Sequence, residues 1–386
     1  MPRPARAIPT LLALLFSVAT SSAQIDDARK ALGAGDYATA LRLLRPLAEK
    51  GDPSAQYRLG VMYELGQGVP IDYAQAMKWY RLAADRGNAD GEYGVGVLYD
   101  RALGVPQNYP EAVKWYRLAA AKGNALAEFN LGSMLANGVG TPRNVAEAIQ
   151  WYRRSSDQGN DRAACALGFI YDSGKDAPRN YGEAVKWYRL AAGRGSIWAQ
   201  TRLGKMLVTG EGVPRDSHEA IRWFRLAAEK GSPIGQYNLG LMYDNGDGIP
   251  QDYAEAVKWY RLAADKGSVE AQSNLGLLYE QGKGMPRDDA QAVHWFRRAA
   301  ETGFPGAQFN LAGMYFRGLG VPQDSVRAYM WCDLAAARST EVGRSKRYAV
   351  ARGRIAATMT AAQIAEAKRL AREWKPVSQN SDGVDR

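Results

Sequence analysis

Residues 52–87 read DPSAQYRLGVMYELGQGVPIDYAQAMKWYRLAADRG, and seven further copies of this pattern follow in the 386-residue chain without an insertion. Glycine and proline recur in step with the pattern. A fixed period of this kind is typical of a repeat solenoid, in which neighbouring units bury a core that no single unit can form. The tryptophan of each copy recurs every 36 residues, at Trp79, Trp115, Trp151, Trp187, Trp223, Trp259, Trp295 and Trp331.

Each copy predicts two helices joined by a turn. Asp52 is a favourable N-cap with Pro53 at the first helical position, and the Gly- and Pro-containing run over 66–70 ends this helix. The second helix begins at Asp72, and all eight copies carry Asp or Asn at this position. Seven of the eight have Glu or Gln three residues later, which predicts a capping box. The fold class is therefore all-α, made of paired antiparallel helices.

Seven of the first helices contain a glycine at mid-helix, namely Gly60 and its equivalents. Glycine destabilises a helix by about 1 kcal/mol relative to alanine, so its repetition requires a structural reason. We expect the paired helix to approach closely here, with a large Trp or Tyr side chain filling the space.

The repeated unit resembles the Sel-one-like repeat (SLR) family, a branch of the tetratricopeptide-like α-solenoids. The copy over 235–267, GQYNLGLMYDNGDGIPQDYAEAVKWYRLAADKG, carries the resemblance, which extends over about residues 36–335. It implies a right-handed superhelical solenoid of eight 36-residue repeats with an N-terminal and a C-terminal cap. It also implies an adaptor, a regulator or an assembly scaffold, because members of this family share no single chemistry.

The two ends of the chain depart from the repeat. Arg3 and Arg6 precede a short apolar run and the small residues that end at Ala23, which predicts a signal peptide cleaved near Ala23-Gln24 and a periplasmic or secreted protein. Beyond the last repeat, Thr360 opens a final helix with a capping box. The predicted organisation is a signal peptide over 1–23, a degenerate helix pair over 24–51, eight repeats over 52–339, capping helices over 340–375 and a disordered tail over 376–386.

Composition and motifs argue against catalysis and against a metal site. The chain has two His and two Cys, no Ser three residues before a Lys, and no nucleotide-binding loop. A cysteine-rich subgroup of the SLR family is linked to penicillin binding, which makes a penicillin-recognising hydrolase a distant alternative. This chain departs from that pattern, since Cys165 and Cys332 lie in different repeats and are expected to be free, mostly buried thiols. We therefore predict no enzyme activity, no cofactor and no metal.

The first helices are the candidate binding surface, because in tetratricopeptide-like relatives they line the concave groove. The hypothesis is an aromatic ladder edged by carboxylates, suited to a protein or peptide partner. An equally weighted alternative is that these aromatics fill the gap between neighbouring repeats. The candidate residues are the aromatic Tyr57, Tyr93, Phe129, Tyr237 and Phe309 and the acidic Asp100, Asp172 and Asp244.

The net charge of +10 becomes +8 once the two Arg of the signal peptide are removed, and in an exported protein it points away from nucleic acid. The row formed by Arg81 and its equivalents is followed in five of seven cases by an acid four residues later, which favours a self-compensated, solvated face.

Most of the excess charge lies after the last repeat. This basic patch either docks on an anionic envelope glycan or membrane surface, or forms the polar outside of a cap, and it comprises Arg344, Lys346, Arg347, Arg352 and Arg354.

Overall fold

The computed structural model describes residues 23–377, and this part of the chain is helical with no strand. The predicted signal peptide over 1–23 lies outside the described residues except for Ala23, as does the predicted tail beyond residue 377. The helices form two compact units, which divide between Asn180 and Tyr181, inside the fourth repeat.

The first unit contains nine helices in its described part, and they follow one another as two helices per repeat. From α2 to α9, each helix packs on the next along the chain. Their bounds are α1 over 23–33, α2 Tyr37–Glu49, α3 Pro53–Leu65, α4 Tyr73–Ala84, α5 Ala89–Asp100, α6 Tyr109–Ala121, α7 Ala125–Asn137, α8 Val145–Asp157 and α9 Asp161–Ser173.

The second unit contains eleven helices in its described part and repeats the same pairing up to α18. Together the two units confirm the all-α fold of stacked helix pairs. The bounds are α10 Tyr181–Gly193, α11 Ile197–Thr209, α12 Ser217–Glu229, α13 Pro233–Asn245, α14 Tyr253–Asp265, α15 Val269–Gln281, α16 Asp289–Glu301, α17 Pro305–Arg317, α18 Ser325–Arg338, α19 Val342–Ala356 and α20 Ala361–Glu373.

Most of the predicted N-caps accept a backbone hydrogen bond, and a full capping box is found at α20. Asp72 accepts from the backbone N–H of Gln75 at 2.9 Å, and the reciprocal pair of bonds is found at Thr360 and Gln363 of α20. In the repeats, the acid at the third helical position is used elsewhere. Glu147 accepts from the indole N–H of Trp151 at 3.2 Å, one turn further along α8.

The close approach predicted at the mid-helix glycines is confirmed. A Cβ on Gly60 would lie 2.6 Å from the ring of Tyr80, and one on Gly240 would lie 2.7 Å from the ring of Tyr260. The ring comes from the tyrosine or phenylalanine after the repeat tryptophan rather than from the tryptophan itself. The eighth repeat has alanine in place of this glycine, Ala312, and at the ring position it has the smaller Cys332.

The 36-residue spacing between helix starts continues beyond residue 339, where the repeated sequence ends. Thr360 stands 288 residues, eight periods of 36, after Asp72, so α20 begins where a ninth second helix would begin. Both α19 and α20 pack on α18. Trp374, just after α20, lies edge-on to Trp331 with the ring centroids 5.8 Å apart. The C-terminal helices therefore cover the last repeat.

Candidate functional site

The candidate site residues are the aromatic side chains at one register of the first helices, which we call the rungs: Tyr57, Tyr93 and Phe129 in the first unit, and Tyr237 and Phe309 in the second. All five are half-buried. The first four pack against a ring on the second helix of their own repeat, with centroid separations of 5.7 to 5.9 Å. The rungs are therefore anchored within their own repeats while keeping part of their surface exposed.

A buried tyrosine on the second helix supports most of the rungs. Tyr80, Tyr116 and Tyr260 are almost completely buried, and burial raises the pKa of each phenol well above its usual range. Each hydroxyl donates to a carboxylate on the first helix, as Tyr80 does to Glu64 at 2.5 Å. The buried ring, which its carboxylate holds in place, therefore fixes the position of the rung that packs on it.

This arrangement corrects the role predicted for two acidic residues. Asp100 accepts from the hydroxyl of Tyr116 at 3.1 Å, and Asp244 accepts from that of Tyr260 at 3.1 Å. Both carboxylates are half-buried and stabilise the repeat instead of standing free at the edge of a groove. Asp172 is half-buried at the same register.

A signal for this pairing was present in the sequence and was missed. The residue 16 positions before the buried ring is acidic in four of the five repeats in which that ring is a tyrosine. Repeat five of the chain is not one of these: its ring is Phe224, which needs no acceptor, and the residue 16 positions earlier is Val208. The signal is partial, because in the seventh repeat the ring is Phe296 and the corresponding residue is still acidic, Glu280.

The rung of the last repeat is covered by the chain itself. Tyr348 of α19 stacks on Phe309 with centroids 4.6 Å apart, and the guanidinium of Arg347 lies 5.3 Å from the Phe309 centroid. Phe309 is therefore not an open groove residue, contrary to the sequence-based expectation. The physical reason is that α19 follows α18 in the position that the first helix of a further repeat would take.

The basic patch is largely engaged in the same cap. Arg352 forms an ion pair with Asp333 and lies near the ring of Tyr329, and Arg344 pairs with Glu341 at 2.8 Å. Together with Arg347 on Phe309, three of the five predicted patch residues contact residues of α18, the residue before α19 or the last rung. Within residues 23–377, Lys346 and Arg354 form no ion pair.

The arginine row connects repeats, which corrects the prediction of a self-compensated face. Five of the seven guanidinium groups donate to a tyrosine hydroxyl on the first helix of the next repeat, 18 residues further on, and the other two, Arg117 and Arg189, pair with Glu147 and Glu219, 30 residues further on. The bonds are Arg81 to Tyr99, Arg153 to Tyr171, Arg225 to Tyr243, Arg261 to Tyr279 and Arg297 to Tyr315, at 2.5 to 3.3 Å.

The remaining sequence expectations concern chemistry. As predicted, no disulfide joins Cys165 to Cys332; Cys332 is buried and Cys165 is half-buried, and burial raises the pKa of Cys332 to about 11. In the described part of the chain, no three His, Cys, Asp or Glu side chains group to hold a metal ion. No helix among residues 23–377 is long and apolar enough to cross a membrane.

The fold and this surface define an all-α repeat protein of stacked helix pairs, and comparison with known proteins identifies the family. The chain belongs to the Sel1 repeat family, whose members are in general non-catalytic protein–protein interaction scaffolds. The Sel1 repeat model matches eight consecutive stretches, residues 53–88, 89–124, 125–160, 161–196, 199–232, 233–268, 269–304 and 305–339.

Two solved structures are similar to the chain over most of its length. A Sel1 repeat protein from Oxalobacter formigenes is 30% identical, with 81% of this chain and 90% of that chain covered and a TM-score of 0.61. A protective antigen present in uropathogenic Escherichia coli strains, which displays an SLR fold, is 30% identical, with 94% of each chain covered and a TM-score of 0.50. No curated protein matches the chain.

Proposed function

We propose that this protein is an exported, non-enzymatic scaffold or adaptor of the bacterial cell envelope, which binds a protein partner along the rungs. The observation that carries the proposal is the half-buried aromatic side chain at the same register of several first helices: Tyr57, Tyr93 and Phe129 on three successive repeats of the first unit, and Tyr237 on the sixth repeat in the second unit. Aromatic side chains supply large contact areas at interfaces, and they are frequent among the residues that dominate binding energy.

The rungs are preorganised, which favours binding. Tyr237 packs on Tyr260, whose hydroxyl donates to Asp244 and accepts from the side-chain amide of Asn274 at 3.1 Å. A ring held from behind in this way loses little conformational freedom when a partner covers it, so more of the contact energy contributes to affinity.

The proposal also includes that the protein is exported and that it has no enzyme activity. The basic, apolar and small-residue segments over 1–23 have the order of a signal peptide, which supports an envelope or secreted location. The Sel1 repeat family supports a binding role, and the chain lacks the S-x-x-K motif of penicillin-recognising enzymes. We infer that the protein acts without a cofactor or metal.

The proposal is tested by partner capture with rung variants that other repeats of the chain already contain. The seventh repeat has Ser273 and the fifth has Thr201 at the rung position, so Tyr237→Ser and Tyr93→Thr should fold. Mature protein carrying both changes should lose a partner that the parent captures from envelope extract. A matched control, Arg222→Ser on the exposed face of α12, should retain it. A partner captured equally by all three proteins would contradict the proposal.

A second candidate is binding to an anionic envelope glycan or membrane surface through α19. Val342 and Val350 are 69% and 59% exposed on this helix, which also carries Lys346 and Arg354. Apolar and basic side chains on one helix favour an anionic lipid surface. Lys346→Glu with Arg354→Glu should abolish co-sedimentation with phosphatidylglycerol vesicles if this candidate holds, and the Tyr237→Ser change should leave it intact.

A further inference from the structure

Two of the rungs are covered by an arginine of the chain itself. The guanidinium carbon of Arg162 lies 4.8 Å from the ring centroid of Phe129, and that of Arg347 lies 5.3 Å from the centroid of Phe309. Both distances fall within the range of a cation–π interaction. The outer face of a rung is therefore a place where this fold accommodates a guanidinium group.

The repeat pattern identifies the residues that are equivalent to Arg162 at two other rungs. Arg162 follows Phe129 by 33 residues; the same offset from Tyr57 leads to Asp90, and from Tyr237 to Glu270. Both carboxylates are exposed. At these two rungs the chain has an anion at the register where it has a cation beside Phe129, whereas the guanidinium beside Phe309 comes from another register, since Arg347 follows Phe309 by 38 residues.

The electrostatic environment of the two tyrosines agrees with this placement. Burial, followed by the charge of Asp90, raises the pKa of Tyr57 to about 12, while Arg58 acts in the opposite direction. Burial and the charge of Glu270 raise the pKa of Tyr237. The two carboxylates therefore lie near enough to act on the phenols that they accompany.

The face of a tyrosine ring and a neighbouring carboxylate can attract the same cation. The ring contributes through its quadrupole and the carboxylate through an ion pair, and each contribution is modest at an exposed position. A planar guanidinium can stack on the ring and bond to both carboxylate oxygens, whereas an ammonium group cannot do both. The arrangement therefore favours arginine over lysine.

We propose that Tyr57 with Asp90, and Tyr237 with Glu270, are two binding sites for arginine side chains of a protein partner. Each guanidinium stacks on the tyrosine ring and pairs with the exposed carboxylate, as Arg162 and Arg347 stack on their phenylalanines within the chain. This inference rests on the proposed function and names the chemistry of the partner.

The test uses the full mature chain and a fluorescent synthetic peptide with the sequence of residues 342–356, VGRSKRYAVARGRIA, which carries the Arg-Tyr pair that covers Phe309. Binding is followed by fluorescence anisotropy. Asp90→Arg with Glu270→Arg should weaken binding about tenfold, because the new side chains occupy the rings and repel the probe. Asp90 also accepts from Asn124 at 2.7 Å, so Asp90→Asn with Glu270→Gln provides isosteric variants, expected to weaken binding about threefold to fivefold.

Matched controls separate the sites from general charge attraction. Asp85→Arg with Asp265→Arg makes the same change in net charge at exposed positions at the C-terminal ends of two second helices and should alter affinity less than twofold. A probe with every arginine replaced by lysine should bind several-fold more weakly. Equal weakening by site and control variants, equal binding of the lysine probe, or no binding of the original probe at millimolar concentration would overturn the inference. A captured partner that depends on Tyr237 but not on Glu270 would overturn the inference and leave the proposed function standing.

Discussion

The glycine at mid-helix offers a direct test of how these repeats pack. Gly240 lies in α13, and an added Cβ would stand 2.7 Å from Cδ1 of Tyr260. Helix propensity alone predicts that Gly240→Ala stabilises the protein by about 1 kcal/mol. The structure predicts the opposite sign, because the ring is fixed on both sides by its hydrogen bonds to Asp244 and Asn274, each 3.1 Å long.

The magnitude follows from three contributions. Overpacking a core costs about 1–3 kcal/mol, and displacing the Tyr260 hydroxyl from its partners costs about 1 kcal/mol more. The helix-propensity gain of about 1 kcal/mol offsets part of this. We expect Gly240→Ala to lower the free energy of unfolding by about 1–3 kcal/mol, measured by urea denaturation and by faster amide exchange in α13 and α14.

Two controls make the result specific. A Cβ on Gly313 of α17 would have only the end of the Arg317 side chain nearby, at 3.6 Å, so Gly313→Ala should stabilise the protein by about 1 kcal/mol. In the background of Tyr260→Cys, which reproduces the Ala312 and Cys332 pair of the eighth repeat, Gly240→Ala should no longer be harmful. A stabilising Gly240→Ala, or an equal cost in both backgrounds, would refute the packing argument.

Three other expectations concern the rungs and the cap. Tyr260→Phe should cost about 1–3 kcal/mol in urea denaturation by leaving Asp244 half-buried without its donor, and adding Asp244→Val should restore most of it. The Tyr57 phenol has a folded pKa of about 12, above its ordinary value of 10, so its stabilising contribution is complete below pH 10 and is lost as the pH rises towards 12. Tyr57→Phe should therefore reduce the loss of stability between pH 10 and 12, by at most about 2–3 kcal/mol. Trp374→Ala should lower the thermal midpoint by removing the contact with Trp331 and should increase amide exchange in α20, whereas substitution of the exposed Val377 should do neither.

Much of the fold could be predicted because the signals are local and repeated. The Asp or Asn before each second helix identified its first turn, and the glycine at Gly60 and its equivalents indicated the close approach of a second helix. Only the structure shows that Tyr80, rather than Trp79, occupies that space, since neighbouring positions on one helix face different partners. The residues that begin and end a helix are set by its local sequence, whereas contacts between rings depend on how two helices pack together.

The candidate site was less predictable for the same reason. The sequence identified the rungs, but the bond between Asp244 and Tyr260 was missed, because it joins two helices and the copies of the repeat support it only in part. The sequence could not show that α19 places Tyr348 on Phe309, because beyond the last repeat no copy exists for comparison. Charge was misleading in the patch around Arg352, whose partner Asp333 lies on the preceding helix.

Site-specific photo-crosslinking in the living cell envelope tests the central claim most directly. A photoreactive residue replaces Tyr237 in one strain and the exposed Arg222 of α12 in another, and mass spectrometry identifies the adducts. The account predicts one dominant protein adduct from the rung position, with an arginine near the crosslinked residue, and none from Arg222. Lipid or glycan adducts at the rung, or the same protein adducts from both positions, would contradict it.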